Sequence, residues 1–337
     1  MKEFNLCLLG FGNVGRALAA LLVRKREEMR EEFGVEWRVT GVATRRMGWL
    51  VAPEGFDEAE LLSGELSARE SSPEPSDLSA WLAAARCGVL FETTSLEPLT
   101  GEPAVSHVRA ALRAGAHVVT ANKGTIVHAY GELKALAREA GRRFFFEATV
   151  SDCPVFSLFR GSLPGARLLA FSGALNSTTN VILEEIEAGR SFDEGVRRAQ
   201  ALGVTETDPA HDVDGWDSAV KVCAVANVLM GARLKLGDVR REGIRDLSAE
   251  EIRAARADGE PYRLVARARR DADGSVSALV RPERVGPPSP FAFATGTSLV
   301  VHFELDVLPG LTLVAHHPDL QSTAYGLLAD FINIAKD

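Results

Sequence analysis

The sequence predicts a two-domain protein of the α/β class, in which a doubly wound parallel-sheet domain precedes an α+β domain. The chain of 337 residues is too long for one ordinary hydrophobic core. Strand patterns alternate with helical patterns up to about residue 148, and the order then changes to helices followed by a run of strands. We place the first domain at 1–148 and the second at 149–317, and we expect the terminal helix, 318–337, to pack back on the first domain.

The first domain opens with an apolar run, a glycine turn and a helical pattern, "FNLCLLGFGNVGRALAALLVRKREEM". Further strands are expected at 37–46, 87–95, 117–124 and 142–150, with helices at 103–116 and 129–141. Strands that alternate with helices in this way pair in parallel through right-handed crossovers. Residues 52–85 are acidic, with prolines and serines clustered at 71–76, and we interpret them as a solvated surface excursion with short helices.

The second domain is expected to combine several helices with a set of strands. Helices are predicted near 179–189, 191–202, 212–231 and 248–259. Strands are predicted at 166–175, 261–271, 275–285, 298–306 and 311–317. The D-x-D-G turn at 271–274 makes at least one strand pair antiparallel.

Composition and charge exclude several classes of function. The net charge of −8 removes the positive field that binding to nucleic acid or an anionic membrane normally requires, so the expected partner is a small molecule. The four cysteines are far apart in sequence and form no C-x-x-C pair, which suits a reducing cytoplasm. No signal peptide or membrane span is apparent, and we expect a cytoplasmic protein.

Gly10, Gly12 and Gly15 form the pattern G-x-G-x-x-G between the first strand and its helix, with Asn13 and Val14 between the last two. Glycines permit a sharp turn, the approach of a pyrophosphate to the backbone and close packing of helix on strand. The helix N-terminus adds unpaired N–H donors. The position of this pattern predicts a Rossmann-type dinucleotide site, and a purely structural turn is the alternative.

The end of the second strand bears on which dinucleotide binds. An acidic residue there would bond the ribose 2′-hydroxyl, but the sequence offers Thr44, Arg45 and Arg46. Two guanidiniums suit a 2′-phosphate, so NADP is favoured and NAD remains the alternative. Arginines on a surface loop can equally be solvated charges.

Lys123 follows the strand in "HVVTANKG", and Thr93, Thr94 and Ser95 end the preceding strand. Ligands of open parallel sheets bind at these carboxyl ends, so both loops are expected to line the cofactor crevice. The alternatives are a solvated loop lysine and ordinary turn hydrogen bonding by the threonines.

Asp217 and Lys221 are four residues apart on a predicted helix and therefore share one face. One interpretation is a surface ion pair of little energy. However, apolar residues flank Lys221, and a buried lysine either needs a carboxylate or has a lowered pKa, which suits a proton shuttle. From these residues alone, the structural and catalytic interpretations stay equally open.

Four segments together resemble homoserine dehydrogenases that lack the regulatory ACT domain: "LGFGNVG", "TANKG", "FSGALNSTTNVILEEIEAG" and "ALGVTETDPAHDVDGWDSAVK". The resemblance covers nearly the whole chain. It implies a homodimeric NAD(P)-dependent oxidoreductase that interconverts L-homoserine and L-aspartate 4-semialdehyde in threonine and methionine biosynthesis. It also implies that the second domain binds substrate and forms the dimer.

The resemblance assigns roles to individual residues. Lys123 and Lys221 match the family's two active-site lysines, and Glu206 and Asp217 match its substrate-binding carboxylates. An amino-acid substrate would bring an ammonium for the carboxylates and a carbonyl for the lysines. We expect Lys221 to donate the proton and Lys123 to orient the substrate and stabilise charge, and the reverse assignment stays open.

The segment "SGALNSTTN" would supply Asn176, Ser177 and Thr178 as polar groups near the substrate. The acids Asp208, Asp212 and Asp214 are interpreted as helix-cap or structural residues.

Two loops depart from the family pattern. The chain has "SDCP" at 151–154, and "AHHPDLQSTAYG" at 315–326 replaces a glycine-rich loop. These changes leave open a paralogous dehydrogenase with another amino-acid-like substrate, or a catalytically silent NADP-binding sensor. His316 and His317 are adjacent and lack an evident third ligand, so no metal site is predicted.

Overall fold

The computed structural model describes residues 1–66, 77–205 and 208–336. Its strands are β1 Lys2–Leu9, β2 Val35–Thr44, β3 Gly48–Val51, β4 Val89–Glu92, β5 His117–Thr120, β6 Phe144–Phe145, β7 Leu168–Ala174, β8 Arg240–Arg241, β9 Tyr262–Arg270, β10 Val276–Arg284, β11 Leu299–Leu305 and β12 Leu311–Ala315. Its α-helices are α1 Asn13–Arg24, α2 Arg26–Phe33, α3 Glu58–Ser63, α4 Leu78–Ala84, α5 Ala104–Arg113, α6 Lys123–Glu139, α7 Val155–Gly161, α8 Ser177–Glu187, α9 Phe192–Ala201, α10 Ala210–Val213, α11 Trp216–Leu229, α12 Ala249–Ala257 and α13 Leu320–Lys336.

The chain divides into two compact units. Unit 1 comprises Met1–Thr149 together with Leu320–Asp337, and unit 2 comprises Val150–Asp319. In the described part of the chain, no helix has both the length and the apolar content that a membrane crossing needs.

Unit 1 is built on a six-stranded sheet with the order β3-β2-β1-β4-β5-β6. Neighbouring strands in the run β2-β1-β4-β5-β6 pair in parallel. Strand β3 pairs antiparallel with β2 at the edge of the sheet. The order runs outward from β1 in both directions, which confirms the predicted doubly wound sheet. Strand β4 is buried at all four positions, as expected for a parallel strand covered on both faces.

Helix α13 completes the core of unit 1. It packs against α1, and its apolar residues join the same buried cluster as β1, β2 and β4. The ring of Phe331 makes edge contacts with Phe4 and Phe91, with ring centroids 5.3 and 5.9 Å apart. The last helix of the chain therefore covers one face of the first sheet.

Unit 2 contains a second six-stranded sheet with the order β12-β11-β7-β9-β10-β8. Its long neighbouring strands are antiparallel, and the short β8 pairs in parallel with β10. Strands β9 and β10 form the hairpin predicted at 271–274. Helices α8, α11 and α12 contact β9, so unit 2 has the predicted α+β architecture.

Three expectations about elements were wrong. Helix α6 begins at Lys123 and not near residue 129, because the Asn122 side chain caps it by accepting from the Gly124 N–H. The helix expected at 212–231 is two helices, because Gly215 at φ 79° separates α10 from α11. The strand expected at 142–150 is limited to Phe144–Phe145, because a 3₁₀ turn follows at Glu147–Thr149.

The segment 52–85 is not a solvated excursion throughout. Phe56, Leu61 and Trp81 are buried, and the indole N–H of Trp81 donates to the Leu50 carbonyl at 2.9 Å. Apolar residues spaced between acidic ones thus extend the core beside β2 and β3. The Pro- and Ser-rich residues 71–76 lie outside the described residues.

Candidate active site

A cavity of about 880 Å³ opens at the carboxyl edge of the parallel sheet in unit 1. Parallel sheets bind ligands at this edge, where the strand order reverses. Its walls include seven of the predicted cofactor residues: Gly10, Gly12, Arg45, Arg46, Thr93, Thr94 and Ser95. The turns after β1, β2 and β4 therefore meet around one space.

The three glycines of the first turn have different surroundings. Gly10 has φ +97°, and a Cβ atom there would lie 2.6 Å from the Thr93 carbonyl oxygen. A Cβ atom on Gly15 would lie 2.5 Å from the Gly10 carbonyl oxygen, so this glycine permits helix α1 to pack on the turn. A Cβ atom on Gly12 would have no neighbour within 4 Å. Gly12 therefore leaves room where a ligand can approach the backbone.

The other predicted cofactor residues do not line the cavity. Asn13, Val14 and Gly15 form the first turn of α1 behind the glycine turn. Lys123 is the first residue of α6, where a loop position was expected. The Asn122 cap places Lys123 at the start of the helix, shortly after β5 ends at Thr120.

The threonines after β4 bond within the protein. The Thr93 hydroxyl donates to the Gly10 carbonyl at 2.9 Å, and the Thr94 hydroxyl donates to the Glu92 carboxylate. Turn hydrogen bonding, one of the two alternatives for these hydroxyls, is therefore what the structure contains. Thr93, Thr94 and Ser95 nevertheless all line the cavity.

The cationic wall of the cavity is formed by Arg45, Arg46 and Arg16. The first two are exposed on the turn between β2 and β3, and neither pairs with a carboxylate within residues 1–66, 77–205 and 208–336. The hydroxyl of Thr44, at the end of β2, accepts from the Met47 N–H at 2.9 Å. No carboxylate thus occupies the end of this strand.

Arg16 is a cavity residue that sequence reasoning missed. It follows Gly15 in the first turn of α1, its Nη1 donates to the Ser63 carbonyl at 3.4 Å, and its guanidinium lies 5.0 Å from the ring centre of Phe11. A cation at a helix N-terminus opposes the helix dipole unless an anion lies nearby. Its position directly after the last glycine of the G-x-G-x-x-G pattern was the sequence signal that could have identified it.

Unit 2 contains a second group of predicted residues, centred on α11. The Nζ of Lys221 lies 2.8 Å from Asp217 Oδ2 and donates to the Leu175 carbonyl at 2.6 Å. Both side chains are largely buried, with 13% and 17% of their surfaces exposed. The pair is therefore not a solvated helix-surface ion pair, and the buried lysine has the carboxylate that its surroundings require.

Asn176 links the Lys221 pair to a second carboxylate. Its side-chain N–H groups donate to Asp212 Oδ1 at 2.7 Å and to Asp217 Oδ2 at 3.2 Å, while its oxygen caps α8. The Thr178 hydroxyl donates to Asp212 Oδ2 at 3.0 Å. Residues 176–178 therefore donate to both of two neighbouring acids.

Asp212 was interpreted as a helix-cap or structural residue, and the structure places it inside this polar cluster. Burial raises the pKa of the Asp212 carboxyl, and the charge of Asp217 adds to the rise, while hydrogen bonds from Asn176, Thr205 and Thr178 act against it. Because Gly215 breaks the helix between the two acids, helical spacing gave no signal that they meet. Asp208 and Asp214 have local roles, since Asp208 accepts from the Ala210 N–H and Asp214 pairs with Arg245.

Ser177, another predicted substrate residue, bonds to a different part of unit 2. The Ser177 hydroxyl donates to the Thr297 carbonyl at 2.8 Å, which ties α8 to the segment before β11. Glu206 lies outside the described residues.

The chain matches one protein family along most of its length. Residues 10–147 match the family description "Homoserine dehydrogenase, NAD binding domain", and residues 154–332 match "Homoserine dehydrogenase". The chain belongs to the homoserine dehydrogenase family. The resemblance inferred from the four sequence segments is thus confirmed, and the first match identifies an NAD-binding domain.

Similar proteins carry the same family name. An NAD(+)-dependent homoserine dehydrogenase of Pseudomonas canavaninivorans is 38% identical, over 99% of this chain and 97% of its own length. A crystal structure of a putative homoserine dehydrogenase from Archaeoglobus fulgidus is 30% identical, with a TM-score of 0.85 over 99% of each chain. A hyperthermophilic archaeal homoserine dehydrogenase mutant, solved in complex with NADPH, is 26% identical, with a TM-score of 0.81 over 99% of this chain and 98% of that chain.

The segment 315–326 has an unusual backbone conformation at one residue. His317 has φ +50°, in the region that favours glycine, and its N–H donates to the Ser298 hydroxyl at 3.3 Å. His316 and His317 are both exposed. Throughout residues 1–66, 77–205 and 208–336, no three His, Cys, Asp or Glu side chains are placed to hold one metal ion.

Proposed function

We propose that this chain is a nicotinamide-dependent dehydrogenase that interconverts L-homoserine and L-aspartate 4-semialdehyde. The observation that carries the proposal is the buried Asn176–Asp217–Lys221 arrangement in the unit that matches the homoserine dehydrogenase family. A buried lysine and two carboxylates complement a substrate that has an ammonium at one end and a reacting oxygen at the other. Glu206, Asn176, Ser177 and Thr178 are the proposed further substrate-binding residues.

Lys221 is the proposed proton donor. An ammonium has three N–H groups, and those of Lys221 reach Asp217 and the Leu175 carbonyl, which leaves one for the substrate oxygen. During reduction, a hydride adds to the carbonyl carbon while the proton passes from Nζ to the oxygen, so that C=O becomes CH–OH. During oxidation the neutral amine takes this proton back.

Asp217 and Lys123 have supporting roles in this proposal. Asp217 fixes the position of the Lys221 Nζ. Lys123 orients the substrate and stabilises the negative charge that grows on the oxygen.

The cavity of unit 1 fits a nicotinamide dinucleotide, which would supply or accept the hydride when bound. The open space at Gly12 and the start of α1 suit the pyrophosphate, and Arg16 adds positive charge there. Arg45 and Arg46 suit a 2′-phosphate, so we propose that NADP(H) binds more tightly than NAD(H). The name of the Pseudomonas canavaninivorans relative favours NAD(H) as the second candidate.

The test is a steady-state assay of the purified chain. L-Homoserine is offered with NAD and with NADP, and aspartate 4-semialdehyde is offered with each reduced cofactor, in parallel with other 4-carbon amino alcohols. We expect turnover of homoserine to exceed that of every analogue. NADPH binding without turnover of any compound would instead identify a catalytically silent sensor.

A related dehydrogenase with another amino-acid-like alcohol is the second candidate function. The observation that favours it is His317, whose bulky side chain stands on backbone that suits glycine, in a loop that contacts Ser298. The neighbouring Thr297 carbonyl accepts from Ser177. Preferred turnover of a different amino alcohol in the same panel would select this candidate.

We also propose that the chain forms a homodimer through unit 2. The resemblance to the family supports this proposal, and Leu169 on the interior strand β7, 38% exposed, is one apolar side chain that a second copy would cover. Light scattering after size-exclusion chromatography should give about twice the chain mass of 36.2 kDa. A mass of one chain at micromolar concentration would contradict the dimer.

A further inference from the structure

Glu92 is a fully buried carboxylate at the carboxyl edge of the sheet in unit 1, and the proposed reaction gives it no role. It is the last residue of β4, with none of its surface exposed. Within the described chain no lysine or arginine pairs with it, and the nearest basic group is the imidazole of His107, whose Nδ1 lies 3.6 Å from Oε1. A buried carboxylate without a cationic partner must be held by hydrogen-bond donors.

Those donors come from the loop after β4 and from the last residue of β5. Oε1 accepts from the backbone N–H of Thr94 at 3.2 Å and from the Thr94 hydroxyl. Oε2 accepts from the Thr120 hydroxyl at 2.9 Å. Glu92 and Thr120 are also register partners in the parallel pair of β4 and β5. One carboxylate therefore joins the loop after β4 to the last residue of β5.

The network continues from Thr120 to the start of α6. The Thr120 hydroxyl oxygen accepts from the Asn122 N–H at 2.9 Å, and the Asn122 side chain donates to the carbonyls of Thr94 and Ser95 at 3.1 and 3.3 Å. The Asn122 side-chain oxygen caps α6 through the Gly124 N–H at 3.0 Å. Lys123 is the first residue of this helix, between the two groups that the cap joins.

We propose that Glu92 is a positioning residue that fixes Lys123 and the 93–95 loop relative to the cofactor cavity. This inference rests on the proposed function, because it acts through the role of Lys123 in the reaction. Replacement of one carboxylate oxygen by an amide NH₂ turns an acceptor into a donor facing Thr94 or Thr120, which already donate. The backbone at Lys123 is then no longer held in one position. Small displacements at a reacting centre lower the reaction rate by large factors.

The test is a double-mutant cycle on kcat with four proteins: wild type, Glu92→Gln, Lys123→Ala and the double variant. We expect Glu92→Gln to lower kcat by roughly 10²-fold in the wild-type background. In the Lys123→Ala background it should lower kcat by less than about threefold, because Glu92 acts through Lys123. An equal loss in both backgrounds would overturn the proposal.

Two further variants separate positioning from general destabilisation. Thr40 is fully buried in the same sheet, and its hydroxyl donates to the Ala85 carbonyl at 2.7 Å, away from the cavity lining. Thr40→Val should lower the melting temperature without changing kcat. Thr120→Val removes the link from Glu92 to Asn122 at nearly constant volume and should lower kcat with the same dependence on Lys123, which keeps the test valid if Glu92→Gln does not fold.

The outcomes for the two proposals are distinct. If wild type turns over homoserine and Lys123→Ala is fully active, the proposed role of Lys123 fails together with the inference. If wild type turns over no substrate, the proposed function fails, and the same cycle is measured on the dissociation constant of NADPH by fluorescence titration. In that case additive effects of Glu92→Gln and Lys123→Ala would overturn the inference, and non-additive effects would support it.

Discussion

The Nζ of Lys221 lies 2.8 Å from Asp217 Oδ2, one helical turn earlier on α11, and both side chains are largely buried. The Leu175 carbonyl takes a second N–H of the same ammonium at 2.6 Å. Two fixed acceptors set the direction of the remaining N–H, so the group is held in place before any substrate arrives. Such preorganisation costs no rearrangement during the reaction.

Loss of this ammonium should abolish most of the proposed turnover. We expect Lys221→Met to lower kcat for homoserine oxidation by at least roughly 10²-fold, as for removal of a general acid or base. The dissociation constant of NADPH, measured by fluorescence titration, should change by less than about threefold. Lys235→Met, at an exposed lysine of the same unit, is the matched control and should retain full activity. Unchanged kcat in Lys221→Met would remove this residue from the mechanism.

The arginines on the turn after β2 should govern the choice between NADP and NAD. In Arg45→Gln/Arg46→Gln, both cationic groups that suit a 2′-phosphate are gone, while the glycine turn is intact. We expect kcat/KM for NADP to fall substantially, by up to about 10²-fold. The value of kcat/KM for NAD should change little. Arg113→Gln/Arg138→Gln, at two exposed arginines outside this cavity, is the control. Equal losses with both cofactors would contradict selection by the 2′-phosphate.

His117 should make the stability of unit 1 depend on acid pH. Burial, together with the nearby charges of Arg142 and Arg143, lowers the pKa of His117 from 6.5 to about 4. Its Nδ1 accepts from the Arg143 N–H at 3.1 Å, which requires the neutral ring. Since the unfolded chain binds this proton at higher pH than the folded chain, the free energy of unfolding should fall as pH drops from about 6.5 to 4.

Urea denaturation of wild type and His117→Gln over this pH range tests whether the free energy of unfolding falls as the pH drops. The glutamine retains an acceptor but does not titrate, so the pH slope should be smaller by roughly 1–2 kcal/mol over the interval, after allowance for screening of a partly exposed ring. Arg142→Gln should reduce the slope partly. A slope in His117→Gln as steep as that of wild type would assign it to other groups.

The sequence allowed prediction of most of the architecture because its signals were local. The alternation of strands and helices up to residue 148, the hairpin turn at 271–274 and the G-x-G-x-x-G turn each depend on neighbouring residues. The start of α6 was missed because only Ala121 and the cap residue Asn122 lie between the end of β5 and the helix. Burial of Trp81 was missed because its partner, the Leu50 carbonyl, is 31 residues away.

The candidate site was predictable in part for the same reason. Asp217 and Lys221 are four residues apart on one helix, and their pairing follows from helical geometry. Asp212 meets the pair only because Gly215 turns the chain and Asn176 arrives from another helix. The role of Glu92 depends on the alignment of β4 with β5, which no spacing within one element reveals.

Gly12 and Gly15 provide the sharpest separation between a ligand-binding and a structural function of the first turn. A methyl group on Gly15 would lie 2.5 Å from the Gly10 carbonyl oxygen, which is backbone and cannot give way cheaply. We expect Gly15→Ala to lower the free energy of unfolding by roughly 1–3 kcal/mol, in the range of overpacking costs.

Gly12 has an extended backbone with φ −82°, and a methyl group there would meet no atom within 4 Å. Gly12→Ala should therefore leave the free energy of unfolding within about 0.5 kcal/mol of wild type. If a pyrophosphate occupies the space beside Gly12, the same methyl group should weaken NADPH binding by at least tenfold, measured by fluorescence titration. Undiminished NADPH affinity in a stably folded Gly12→Ala would show that the dinucleotide does not approach the backbone at this turn.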